Sequence, residues 1–261
     1  MFHRAAVKNL RWIALVALAG ACRENAPAAR ASTPNTGAVS AKKLSSNSIR
    51  VDGRLDEPAW RAPSTGALAS PGDGSPVPAS RVQGEAWFAW DDQNLYFAAR
   101  VSDRHPVAPF AATERDPHLW ERSSAVELML QPGDPGDNRN YYEIQADTAC
   151  AKWTTRFDEY NRPQGVDAQG RRTFGHQEWE PSLQCASQVT SDGYTIELAL
   201  PWRDIDGAGR ASVPPRAGDV WRANVYSFRE GQRDSLSWTP LRGEGNFHFA
   251  PRFGRVTFTG P

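Results

Sequence analysis

The sequence predicts an all-β fold, an antiparallel two-sheet β-sandwich of jelly-roll or immunoglobulin-like type. Three observations predict it. Apolar residues recur with period two beyond residue 49, and Gly, Pro, Asn and Asp interrupt that pattern at short intervals. No long stripe of period 3.6 follows the same point. In chain order, Gly84–Trp90 and Leu95–Val101 read as two strands joined by the turn formers Asp91-Asp92-Gln93-Asn94. Val126, Leu128 and Leu130 share one face, leaving Glu127 and Met129 on the other. Tyr142, Ile144 and Ala146 repeat the pattern. Tyr194, Ile196, Leu198 and Leu200 form another such stripe, which Pro201 ends. Val220–Phe228 and Arg255–Thr259 are further strands. In such a fold one face of each strand packs the core, while the other is free to carry polar groups or rings.

The first 48 residues have a different character. Basic Arg4, Lys8 and Arg11 precede an apolar run from Trp12 to Ala19 and the small residues Gly20 and Ala21. This order is that of a secretory signal, and the run is shorter than the roughly 20 residues a membrane-spanning helix needs. Leu18-Ala19-Gly20-Ala21-Cys22 resembles the lipobox of bacterial lipoproteins, which implies cleavage after residue 21 and lipidation of Cys22. Arg23 is not the Asp that retains such proteins at the inner membrane, so an extracytoplasmic, outer-membrane location is expected, with membrane contact through the lipid anchor alone. Residues 22–48 hold almost no large apolar side chain and are expected to be a disordered tether of about 28 Å root-mean-square reach. The remaining stretch, 49–261, is one domain by length.

Composition excludes some partners. The chain has 30 basic and 30 acidic residues, and loss of the leader with its three basic residues leaves a net charge of about −3. No basic cluster beyond the turn-like Arg171-Arg172 pair is present, so no nucleic-acid partner is expected. Once Cys22 is lipidated, Cys150 and Cys185 remain, and an oxidising compartment favours a disulfide between them over two buried thiols.

The familiar catalytic signatures, H-E-x-x-H, G-x-S-x-G, the P-loop and G-x-G-x-x-G, are all missing. Glu127 and Glu143 fall mid-strand and have the placement of a glycosidase carboxyl pair, although sandwich strands commonly present polar residues outward. No catalytic activity is expected. Aromatic residues stand out instead: ten Trp, with Trp12 in the leader, together with eleven Phe and six Tyr. Trp60, Trp87, Trp90, Trp202 and Trp221 read as core or hairpin packing. Trp120 differs, because His118-Leu119-Trp120-Glu121-Arg122 flanks its ring with charges. An exposed flat ring beside carboxylates and amides suits sugar recognition, and Trp153 and Trp238 are lesser candidates for the same role.

The ordered motifs point to a family. Ile49-Arg50-Val51-Asp52-Gly53-Arg54-Leu55-Asp56-Glu57-Pro58-Ala59-Trp60 is followed by Trp90-Asp91-Asp92-Gln93-Asn94-Leu95-Tyr96 and Val101-Ser102-Asp103. Then come Trp120, Val126-Glu127-Leu128, Gly193-Tyr194-Thr195-Ile196-Glu197 and Arg252-Phe253-Gly254. From Ile49 to Phe258 the series resembles family 9 carbohydrate-binding modules. That resemblance implies a β-sandwich, often with structural calcium, that holds sugar between aromatic rings and assists polysaccharide breakdown without cleaving bonds. It puts Trp120 at the first clamping tryptophan, Glu127 at a sugar-contacting carboxylate and Asn224 at a recurring strand asparagine. Phe247-His248-Phe249 stands in place of the second clamp tryptophan, and Glu143 in place of a sugar-contacting arginine. The expected carbohydrate site is thus Trp120, Glu127, Glu143, Trp238, Phe247 and His248. Asp103 and the Gly133–Asn138 loop offer oxygen ligands for calcium, although turns need the same residue types. Two alternatives remain: an envelope scaffold that keeps the sandwich without the sugar, and a redox module pairing Met129 with His105, His118, His176 or His248. No haem is expected, since no attachment motif exists, and the sequence identifies no protein partner.

Overall fold

A computed structural model describes residues 37–261, apart from 63, 167–168 and 244–245. Cys22 and the leader lie outside the described residues. The strands are β1 (Ala38–Lys43), β2 (Gly84–Trp90), β3 (Asn94–Val101), β4 (Ala125–Gln131), β5 (Arg139–Asp147), β6 (Lys152–Glu159) and β7 (Pro163–Val166). They continue with β8 (Arg172–Phe174), β9 (Gln184–Thr190), β10 (Gly193–Pro201), β11 (Val220–Arg229), β12 (Arg233–Ser237) and β13 (Gly254–Thr259). A single helical turn, α1 (Leu119–Arg122), precedes β4.

The fold is all-β, as expected, but it is one curled mixed sheet rather than two antiparallel sheets. Its strand order is β6-β5-β4-β11-β13-β1-β2-β3-β10-β9, with β12 beside β11, while β7 and β8 pair separately. The antiparallel expectation fails at β1, which runs parallel to both β13 and β2. Parallel neighbours need a long crossover, and the segment 44–83 between β1 and β2 provides it. The expected boundary at residue 49 fails for the same reason, since residues 38–43 belong to the sheet. Only Val39 and Ala41 of β1 point into the core, and two small side chains leave little apolar signal in a Ser- and Lys-containing run.

The curl brings its halves together over one core. Val126, Leu128, Ile144 and Val225 from β4, β5 and β11 meet Phe88, Phe97, Ile196 and Leu198 from β2, β3 and β10. Trp202 and Trp221 pack edge-to-face, and both pack against Phe258, as does Trp90. Trp238 belongs to this core as well. It is fully buried beside Phe88, and its ring covers Gly254 so closely that a Cβ there would lie 2.7 Å from it. The glycine of Arg252-Phe253-Gly254 is therefore a packing requirement, and Trp238 is not a ligand contact. An indole has too much apolar area to leave in water when the core has room for it.

Cys150, in the β5–β6 turn, is disulfide-bonded to Cys185 of β9. The bond ties together the two ends of the curled strand path. Ser187 Oγ donating to Thr148 O at 2.5 Å holds the same junction. Closing a loop of 35 residues contributes about 4 kcal/mol of stability in the chain-entropy account.

Candidate ligand-binding groove

Strand register builds the site. On β4 the inward turn of Val126, Leu128 and Leu130 obliges Glu127 and Met129 to face outward. Across the ladder Glu127 lies opposite Gln145 on β5 and Tyr226 on β11, and Gln145 lies opposite Trp153 on β6. The next outward row is Asn224, Met129, Glu143 and Thr155. Two rows of side chains thus cross four strands on one face.

These positions are not the solvated outer face that alternation alone suggests. Glu127 is 2% exposed and Glu143 6%, because a second apolar layer covers this side of the sheet. Phe247 stacks on Tyr226 at 3.9 Å, Tyr141 on Phe157 at 4.8 Å, and His248 on Tyr160 at 5.1 Å. Asn224 fixes the covering loop: its Nδ2 donates to Tyr226 Oη and to Thr239 O, while its Oδ1 accepts from Thr239 N. Tyr226 Oη in turn donates to Phe247 O. Asn224 is therefore fully buried and acts as a brace, away from the groove.

Between this layer, α1 and the β7–β8 hairpin runs an open groove of about 870 Å³. Trp120, Glu127, Glu143, Phe247 and His248 all line it, and Trp238 does not. In α1, Leu119 is fully buried and anchors the turn, which leaves Trp120 half-exposed beside it. One face of Trp120 stacks on His118 at 4.5 Å, and its edge meets Trp153 at 4.8 Å. Sequence reasoning missed Gln145, Tyr160 and the hairpin residues Arg172 and Phe174 as lining groups. Gln145 was within reach of inference, being two residues from Glu143 on one strand face.

The groove floor leaves buried polar atoms unpaired. Gln145 Nε2 donates to Glu127 Oε2 at 2.8 Å and to Glu143 Oε1 at 2.7 Å. Glu127 Oε1, Gln145 Oε1 and Trp153 Nε1 have no hydrogen-bond partner. Burial, and then the charge of Glu143, hold the Glu127 carboxyl well above the usual range. His248 shares a hydrogen bond with Tyr141 Oη at 3.0 Å, and its Nε2 lies 3.8 Å from Glu143 Oε2. Burial lowers its pKa, which favours the neutral ring. The two carboxyls share one amide donor.

The residues considered for calcium are otherwise engaged. Asp103 accepts from Ser124 Oγ and faces Arg229, Asp134 faces Arg222 and Arg255, and Asp137 pairs with Arg210. Among the described residues no three His, Cys, Asp or Glu gather to hold a metal ion.

Solved structures share the fold. A family 9 carbohydrate-binding module from Caldicellulosiruptor kristjanssonii in complex with glucose is 14% identical, with a TM-score of 0.55 over 86% of this chain and 96% of that one. The cellotriose complex of such a module from the same organism is 12% identical, with a TM-score of 0.55 over 86% and 94%. A Bacteroides uniformis protein named for carbohydrate binding is 17% identical, with a TM-score of 0.60 over 85% and 98%. At these identities the likeness concerns the fold alone. No curated protein matches the chain. The family model "Carbohydrate family 9 binding domain-like" matches residues 51–260, most of the chain, and with the curled sheet it shows that this chain belongs to that family.

Proposed function

We propose that the groove binds carbohydrate without cleaving it, with Trp120 and Phe247 presenting ring faces and Glu127, Glu143 and His248 taking hydroxyl groups. The observation that carries this reading is the convergence, in one open groove, of aromatic side chains and buried acceptors lacking donors. A pyranose offers what such a site lacks: an apolar C–H face for the rings and hydroxyl donors for the acceptors. Family membership and the sugar-bound state of the Caldicellulosiruptor modules support the same choice. Titration of the purified protein against a panel of mono- and oligosaccharides tests it. Binding is expected, weakened about tenfold in Trp120→Ala and in Phe247→Ala. A blank panel, or unchanged affinity in both variants, overturns the reading.

We further propose that Cys22 carries the lipid and that the domain works at the outer membrane as a glycan-holding accessory to polysaccharide breakdown. The support is the leader pattern ending in Leu18-Ala19-Gly20-Ala21-Cys22. Cys22→Ser is expected to move the protein from the membrane fraction to the soluble fraction, and continued membrane association rules the anchor out.

A further inference from the structure

The groove floor sets two carboxyls, Glu127 and Glu143, side by side. Glu127 and Glu143 approach a single amide nitrogen, so one Gln145 side chain spends both its protons on two carboxyls. Around them Tyr226 and Tyr141 pack close by, the indole N–H of Trp153 and the hydroxyl of Thr155 have no partner, Arg171 and Arg172 also line the groove, and His248 is the basic group within ion-pair distance among the described residues. Its imidazole is tied to Tyr141, and burial favours the neutral ring. Two more atoms, Glu127 Oε1 and Gln145 Oε1, are left without any donor in side chains that are 2% and 1% exposed. A hydroxyl can supply one proton to such a cluster but no charge. An ammonium supplies three donors and a positive charge, and so meets both deficits at once. The ring faces of Trp120 and Trp153 beside it add a favourable surface for a cation.

We propose that the groove prefers a sugar bearing a protonated amine, a 2-amino-2-deoxyhexose unit for example, whose ammonium sits over Glu143 and Glu127. This rests on the carbohydrate reading above and narrows it to a ligand class. Glu143 meets the amine first, being the more exposed of the two, and the ammonium charge favours release of the proton that burial and Glu143 otherwise hold on Glu127. The acetylated counterpart of the same sugar lacks both the charge and two of the three donors, so the site discriminates against it.

The test is calorimetric titration of the mature protein with three probes of equal length: a glucosamine oligomer, an N-acetylglucosamine oligomer and a cello-oligosaccharide. The glucosamine oligomer is expected to bind at least about tenfold more tightly than the other two. Glu143→Gln and Glu127→Gln are each expected to abolish that preference while keeping the melting transition. Equal or tighter binding of a neutral probe overturns the amine inference and leaves carbohydrate binding standing. A preference that survives in both variants assigns it to general attraction by the acidic chain, and also overturns it. No binding of any probe, with a blank glycan panel, removes both readings. Should one variant fail to fold, the other decides.

Discussion

Glu127 and Glu197 occupy matching situations in opposite halves of the curled sheet, and they have been treated in opposite ways. Each stands mid-strand on an outward face, and each is buried. Over Glu197 the segment 49–61 closes completely. Trp60 Nε1 donates to one carboxyl oxygen at 2.8 Å, while Gly53 N and Asp52 N donate to the other at 2.7 and 3.0 Å. Ile49 and Trp60 seal that face against Trp87, Tyr96 and Ala98. Over Glu127 the cover is incomplete, one amide serves two carboxyls, and a groove remains. The same residue type thus marks a closed joint in one half and an unfinished one in the other. What separates structure from site is the count of donors around the acid.

The largest expected effect breaks the closed joint. Glu197→Ala orphans an indole N–H and two backbone N–H groups in a buried place, and should cost about 4 kcal/mol in urea unfolding. A loss below about 1 kcal/mol would show that the joint adds little. A second effect follows from pH. Burial pushes the Glu197 carboxyl up to about 7 despite its three donors, so the folded chain holds a proton that the unfolded chain releases near its ordinary value of 4.5. Stability therefore declines as pH rises through that window, and Glu197→Gln should flatten the profile. A wild-type profile already flat there would contradict the shift. The smallest effect lies on the open side. Glu127→Gln removes a buried ionisable group that Glu143 disfavours, so the melting transition should hold or rise by the equivalent of about 1 kcal/mol. A marked loss would make Glu127 a structural acid like Glu197.

Much of this contrast could be read in the sequence, but not its sense. Alternation in Val126–Leu130 and Tyr142–Ala146 correctly sends Glu127 and Glu143 to one face, since period two is a local property. Burial of that face is not local. It depends on Phe247 and His248, more than a hundred residues away, folding over Tyr226 and Tyr141. Trp120 was legible because its anchor, Leu119, and its flanking charges are adjacent to it. Trp238 was not, for its burial depends on the ring fitting over Gly254. Strand β1 escaped notice because Val39 and Ala41 are small, and its pairing with β13 spans most of the chain. The role of Glu197 as an acceptor for Trp60 is equally non-local, although both residues lie in motifs the family resemblance had picked out.

The position of β1 has a mechanical consequence. Among the described residues the first strand is an interior one, gripped by β13 through Ala38–Lys42 and by β2 through Lys42 and Lys43. Tension entering at that end drags the strand lengthwise, so its cross-links on both flanks must fail in concert. An edge strand would instead unzip one bond at a time. The domain can thus bear a pull applied at that end, with the load shared by both flanks like the shank of a rivet.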